Sequence, residues 1–218
     1  MKRLIVNLKH YENSTGKQAE SFITSLAARI KRDDVKVSFA VGPYDLRIKS
    51  TFANEDIIAQ HVDPNPQGPF TGKISMEFLA KNGISSSLLN HSENRVGGRI
   101  IQDTVTKARK IGFEIILCLE SIDEIRNFIT IKPTYVAYEP PELIGGNISV
   151  SKSKPEIISE ASDICLKNNC ELIVGAGIKT AEDVSKSIEL GASGILVASG
   201  IVLSKDPLGS LNSLIKAL

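Results

Sequence analysis

Two stretches decide the fold: Glu171-Leu172-Ile173-Val174-Gly175-Ala176-Gly177-Ile178 and Gly194-Ile195-Leu196-Val197-Ala198-Ser199-Gly200. In each, a short apolar run stops at a glycine-rich turn. An amphipathic segment follows each one, Ala181 to Leu190 and then Leu208 to Leu218. A strand without polar alternation is buried on both faces, which is the mark of a parallel sheet covered by helices. The glycines after the strands leave backbone N–H groups bare and close to whatever sits at the strand ends.

The same rhythm extends outward along the chain. Strands are expected at Leu4 to Leu8, Val35 to Val41, Ile57 to Val62, Ser86 to Asn90, Phe113 to Leu119 and Thr134 to Tyr138. Between them, helical spacing marks Lys17 to Ile30, a short stretch near Tyr44 to Ser50, Ser75 to Lys81, Val96 to Ile111, Ile122 to Phe128 and Pro155 to Lys167. Eight strand-then-helix units imply an α/β protein, and a parallel sheet of eight strands most readily closes into a (β/α)8 barrel. An open doubly wound sheet is the alternative. No shift in composition marks a linker, so one domain over residues 1–218 is expected.

Composition narrows the partners. The chain has 218 residues, 42% of them hydrophobic and 23% charged, with a net charge of +1. So even a balance gives no bulk attraction for nucleic acid or anionic membranes, and anion recognition has to be local. No apolar stretch reaches the length of a membrane span, and the N-terminal run is too short for a signal sequence. Three cysteines make no disulfide framework and fit a reduced, cytoplasmic setting. Cys118 reads as a packing residue in an apolar run.

A parallel barrel gathers its chemistry at the C-terminal ends of its strands. Here those ends read Asn7-Leu8-Lys9, Asn90-His91-Ser92-Glu93 and Tyr138-Glu139-Pro140-Pro141, together with the turns at Gly175-Ala176-Gly177 and Ala198-Ser199-Gly200. The last two can present amides to a phosphate. Glu139 is a proton acceptor across the mouth. Lys9 is a fixed positive charge for a substrate anion and a developing oxyanion. His91 begins a turn expected to run into a short helix, whose N-terminus would disfavour protonation of the ring. The set describes proton abstraction next to a carbonyl in a phosphorylated substrate. His10 reads as surface and His61 as a strand-end residue with a structural hydrogen bond. Glu93 could equally serve as part of a helix cap. A metal-dependent sugar-phosphate epimerase would want metal-ligand histidines and aspartates at strand ends, and the chain's three histidines, His10, His61 and His91, argue against it. A barrel acting only as a scaffold has no physical reason to hold a Lys, a His and a Glu at one mouth.

In this order and over essentially the whole chain, the motifs resemble the triosephosphate isomerase family, and its compact archaeal branch most of all. Asn7-Leu8-Lys9 is similar to the family's Asn-x-Lys element, Asn90 to Glu93 to its His-Ser-Glu element, and Tyr138-Glu139-Pro140 to the segment carrying the base. Gly68 to Ser75 resembles the loop that reaches into a partner subunit, and Pro140 to Asn147 the mobile lid. The resemblance implies a TIM barrel and a cofactor-free, metal-free isomerase that interconverts dihydroxyacetone phosphate and glyceraldehyde 3-phosphate. It implies Glu139 as base, with Lys9 and His91 on the carbonyl and Asn7 beside them; a Glu base with a neutral His is the family's own established chemistry. Phosphate would rest on amides near Gly145, Gly177, Ala198 and Ser199, and Ile144 would cover the site as the lid shuts. A homodimer or homotetramer is expected. Several positions depart from the pattern: Gly177 stands for a frequent Ser, and the lid reads Ile144-Gly145-Gly146-Asn147. Lys73 and Asn94 replace a Glu and an Arg that commonly form an ion pair.

Overall fold

The computed structural model describes residues 1–27, 33–143, 146 and 149–218. Eight strands pair in chain order: β1 (Lys2–Asn7), β2 (Val35–Val41), β3 (Asp56–Ala59), β4 (Ser86–Leu89), β5 (Glu114–Leu119), β6 (Tyr135–Tyr138), β7 (Glu171–Val174) and β8 (Gly194–Val197). Parallel pairing of β1 with β8, from Arg3 opposite Gly194 to Val6 opposite Val197, closes the barrel and excludes the open sheet. At that seam β8 comes so close that a Cβ on Gly194 would lie 2.2 Å from the Arg3 carbonyl oxygen.

Helices α1 (Lys17–Ala27), α2 (Met76–Lys81), α3 (Gly98–Ile111), α4 (Ile122–Phe128), α5 (Val150–Ser153), α6 (Pro155–Lys167), α7 (Ala181–Glu189), α8 (Ser199–Val202) and α9 (Pro207–Ala217) return the chain between strands. The connection after β2 is a 3-10 segment, Pro43–Ser50, where a short helix was expected. The expected helix Lys17 to Ile30 is present as α1, and its last three residues lie outside the described residues. Starts are set by side chains: Ser121 accepts from Glu124 N at 3.2 Å, and Thr180 with Asp183 forms a reciprocal capping box on α7. No helix among the described residues is long and apolar enough to cross a membrane.

Two boundaries differ from the sequence reading for local reasons. β3 ends at Ala59 rather than Val62: Gln60 N still bonds Val41 O at 3.1 Å, but Asp63 N turns away to Ile74 O at 2.9 Å, and the Gln60 side chain donates to Asn7 Oδ1 and to the Ala40 carbonyl, both at 3.1 Å. The helix expected from Val96 begins at Gly98, because Gly97 before it is extended (ψ 150°), while the Val96 N–H is taken by Asn90 Oδ1 at 3.0 Å.

Side chains alternate across a strand, so each strand feeds two cores. Leu4, Val6, Phe39, Ile57, Leu89, Ile115, Leu117, Val136 and Val174 face the helices. Ile5, Ala40, Ile58, Leu88, Ile116, Ala137, Ile173 and Leu196 form an apolar band inside the barrel. Each fully buried aliphatic side chain contributes about 1.5–3 kcal/mol of transfer free energy, so both cores are substantial. Two residues below the band the interior is ionic. Arg3, 2% exposed, donates to Glu114 Oε2 at 2.9 Å, Asp56 Oδ2 at 3.3 Å, and the Ser38 and Ser86 hydroxyls at 3.2 Å. Its guanidinium also lies 4.9 Å from the Tyr135 ring centroid. Two residues above the band, the same strands supply Asn7, Gln60, Asn90, Cys118, Glu139, Gly175 and Ala198. This upper layer is the floor of the mouth.

Candidate active site

Asn7 ends β1 and is buried. Its Oδ1 accepts the Lys9 N–H and the Gln60 side-chain amide, both at 3.1 Å. These bonds hold Lys9 in a left-handed conformation (φ 49°). The bend turns the ammonium over the mouth instead of out to solvent. Lys9 Nζ meets Glu93 Oε1 at 2.5 Å, so Glu93 is the partner of the cation and caps no helix.

His91 follows Asn90, whose backbone is also left-handed (φ 64°) and whose side chain bridges Cys118 O at 2.9 Å and Val96 N. Contrary to the sequence expectation, no helix starts at His91; the chain makes a turn closed by Asn94 N to His91 O at 2.8 Å. Orientation of the ring comes from that turn. Nδ1 accepts the Glu93 N–H at 3.2 Å, which leaves the ring proton on Nε2. Nε2 points at Glu139, 3.7 Å from Oε2.

Glu139 lies one residue past β6, 5% exposed, with its N–H on Leu119 O at 3.0 Å. Among the described residues, Oε2 is one of the few buried side-chain oxygens without a hydrogen-bond partner. Burial raises its pKa above the usual carboxylate range, and the nearby His91, Cys118 thiol and Lys9 only partly offset that. An acceptor that is dry, unsatisfied and raised is suited to take a proton near neutral pH. Cys118 packs in the barrel interior with its thiol beside this carboxylate, and burial together with Glu139 pushes the thiol well up. The carboxylate lies against Gly175, where a Cβ would sit 2.6 Å from Oε1 and 2.7 Å from Cγ. Glycine at that position is what gives the side chain room.

A pocket joins this group to the loops after β7 and β8. Asn7, Lys9, His91, Glu139, Gly177, Ala198 and Ser199 all line it, and Gly146, Ala176, Ile178 and Lys179 add to its wall. The expected residues thus converge on one cavity. Ile144, Gly145 and Asn147 lie outside the described residues. Ala176 and Gly177 adopt successive left-handed conformations (φ 69° and 72°), so the loop turns sharply inward.

The anchors of that loop are residues that sequence reasoning passed over. Val150 N donates to Ala176 O at 3.2 Å. Asp183, 4% exposed, accepts from Lys179 N at 3.1 Å, Thr180 N at 2.9 Å and the Ser149 hydroxyl at 2.8 Å. Burial alone would raise its pKa, but these donors outweigh it and hold the carboxyl below the ordinary range. One carboxylate thus ties the turn after β7 to the segment that follows Gly146. The Thr180-to-Asp183 capping spacing was the available signal.

Lys73 and Asn94 leave no charge without a counterpart. Lys73 Nζ pairs with Asp63 Oδ1 at 3.1 Å, and the other carboxylate oxygen accepts Ile74 N at 2.9 Å. His61 lies 3.6 Å from the same carboxylate, but its buried Nδ1 has no partner, so the structural hydrogen bond expected for it is not made there. His10 is exposed, as expected.

A closed parallel barrel with a buried carboxylate, an imidazole and a lysine over one pocket defines a barrel enzyme built for acid–base chemistry on a small anion. The family model described as Triosephosphate isomerase matches residues 2–218. A triosephosphate isomerase of Thermoplasma volcanium is 51% identical over 98% of this chain and 99% of its own length. Those of Saccharolobus solfataricus and Methanothermus fervidus are 40% and 37% identical, covering 94% and 97% of this chain and 90% and 96% of their own. The chain belongs to the triosephosphate isomerase family.

Proposed function

We infer that this chain is a triose-phosphate isomerase of glycolysis and gluconeogenesis, interconverting dihydroxyacetone phosphate and D-glyceraldehyde 3-phosphate through an enediolate. Family membership supports the reaction. The observation that carries the residue roles is the unsatisfied Glu139 carboxylate 3.7 Å from His91 Nε2, with Lys9 in the same pocket. Glu139 removes a proton from the carbon beside the carbonyl and returns it to the neighbouring carbon. Lys9, steered by Asn7, and the Nε2–H of His91 hydrogen-bond to the carbonyl oxygen as it gains negative charge. Phosphate sits on the amides of Gly177, Ala198 and Ser199, completed by Gly145 of the lid, with Ile144 closing over the enediolate to exclude water. No metal or cofactor is needed for these steps.

The test is a coupled assay of glyceraldehyde 3-phosphate conversion with Glu139→Gln as the paired variant. Loss of about 10²–10⁴-fold in kcat is expected, with phosphate-analogue binding kept within a few fold. Equal loss of binding and turnover would remove Glu139 from the role of base.

The chain is read as one domain over residues 1–218, working in the cytoplasm as a homodimer or homotetramer. The arm between Asp63 and Ser75 supports self-association. Asp63 pins its base, while Gly68 to Lys73 stand exposed with the Phe70 ring 39% exposed. A cleft beside the mouth, lined by Asn7, Lys9, Gln60, His61, Glu93 and Asn94, is a fitting socket for that arm from a second copy. A monomer with full activity at assay dilution in sedimentation measurements would overturn the reading.

A further inference from the structure

Cys165 and Cys170 lie at the opposite end of the barrel from the mouth and take no part in the chemistry above. Helix α6 ends in a Schellman motif. Asn168 is its C-cap, and Asn169 is left-handed (φ 54°). Cys170 N bonds Cys165 O at 3.0 Å, and Asn169 N bonds Leu166 O at 3.2 Å. In this motif the residue two beyond the cap folds back onto the third-last helical residue, and the contact between their side chains is ordinarily apolar. Here both positions are cysteine. Cys170 Sγ donates to the carbonyl oxygens of Thr134 and Glu171, each at 3.8 Å. Both thiols are free.

We propose that Cys165 and Cys170 are a dithiol site that closes to an intramolecular disulfide, with a small peroxide as its oxidant. Geometry favours it. One 3.0 Å backbone hydrogen bond joins the two residues, so their Cα atoms are no more than about 7 Å apart, the upper end of what a disulfide spans. Access selects the oxidant. Cys165 and Cys170 are 1% and 3% exposed, whereas Leu166 and Asn169 in the same turn are exposed. The sulfurs therefore lie one layer beneath the surface, within reach of hydrogen peroxide but not of a bulky disulfide. The neighbouring Cys165 thiol favours the Cys170 thiolate against the opposing effect of burial, and the Cys170 neighbour pushes the Cys165 thiol up.

The chemistry balances with peroxide alone. The Cys170 sulfur attacks one peroxide oxygen, the O–O bond breaks, and water leaves with the thiol proton. The Cys165 sulfur then attacks the resulting sulfenic sulfur; the S–S bond forms and the S–O bond breaks. A second water leaves with the remaining proton. Two thiols are oxidised and one peroxide is reduced to two waters. A small dithiol reductant reverses the bond by exchange once local opening of the turn exposes it. The product staples the last turn of α6 to the start of β7.

The test treats the reduced native protein with stoichiometric hydrogen peroxide, alkylates it under denaturing conditions and reads its mass. Oxidised protein is expected to take up a single alkyl group, on Cys118, where reduced protein takes one on each of its three cysteines. Trypsin cleaves after Lys167, between the pair, so the bond is expected as two peptides joined through Cys165 and Cys170. Cys165→Ala is expected to leave a sulfenic acid on Cys170 that dimedone traps, while wild type is trapped far less because Cys165 resolves it. Three alkylated cysteines after peroxide would overturn the proposal. So would sulfinic or sulfonic acids in place of the joined peptides, or equal dimedone trapping in both proteins.

Discussion

The two ends of the barrel interior each hold a charged side chain almost removed from water, and they are treated in opposite ways. Arg3, at the end where the strands begin, is surrounded by Glu114, Asp56, Ser38 and Ser86. Burial alone would weaken its charge, but the two carboxylates more than compensate and hold the guanidinium above its ordinary pKa. Glu139, at the end where the strands finish, has an oxygen without a hydrogen bond and a carboxyl that burial has raised. The same strand periodicity builds both, since Tyr135, Ala137 and Glu139 are alternate residues of one chain segment. A buried charge that is saturated holds a structure together. One that is left unsatisfied is available to a substrate.

The largest effect is expected from breaking the saturated end. Arg3→Met leaves Asp56 and Glu114 with Lys36 as their shared cation, 3.3 and 3.9 Å away, and should cost about 3 kcal/mol in urea unfolding. Turnover per folded molecule should be unchanged; a fall in kcat would erase the distinction between the ends. Next is Gly175→Ala, whose methyl group would occupy the place of the Glu139 carboxylate. If Glu139 is the base proposed above, displacing it by about an ångström should reduce kcat about 100-fold, with little change in melting temperature. A variant as active as wild type would show that the close fit of Gly175 to the carboxylate has no bearing on catalysis.

Asp183→Asn sharpens the comparison by asking whether a saturated group near the mouth behaves like Arg3. It should cost about 1–2 kcal/mol, and it should raise KM more than it lowers kcat, because the turn that carries Gly177 loosens. Asp183 has a lowered folded-state pKa, so its stabilisation is present above the unfolded value and lost as pH falls through the folded one. Glu139 carries the opposite sign. Its raised folded-state pKa means that the wild type is penalised as pH rises from the unfolded value through the folded one. Glu139→Gln should therefore melt slightly higher than wild type at neutral pH, with the difference vanishing in acid. The acid limb of the wild-type kcat profile should lie above the range of an ordinary carboxylate.

The sequence shows the mouth more readily than the opposite end, for a physical reason. Strand ends there change abruptly from apolar runs to Asn7, His91, Glu139 and the glycine turns, and convergence follows from barrel geometry alone. β2, β7, β8, α4 and α6 have the bounds expected from their patterns. The ionic end depends on pairing across non-adjacent strands. Arg3 beside Lys2 looks like any charged terminus until Asp56 and Glu114 are brought to it through closure. Short elements were equally hidden. α8 is a single turn at Ser199–Val202, where Ala198-Ser199-Gly200 reads only as a loop. The fit of Gly175 against Glu139 and the left-handed Lys9 are tertiary facts that one-dimensional patterns do not carry.

Proton transfer by Glu139 is tested most directly by solvent isotope exchange. Dihydroxyacetone phosphate is incubated with enzyme in deuterium oxide and followed by proton NMR, with Glu139→Gln alongside. Wild type should place deuterium on the carbon next to the carbonyl in recovered substrate and product, while the variant should be slower by the same factor as its kcat. Undiminished exchange in Glu139→Gln would contradict the assignment and pass the proton to another group in the pocket.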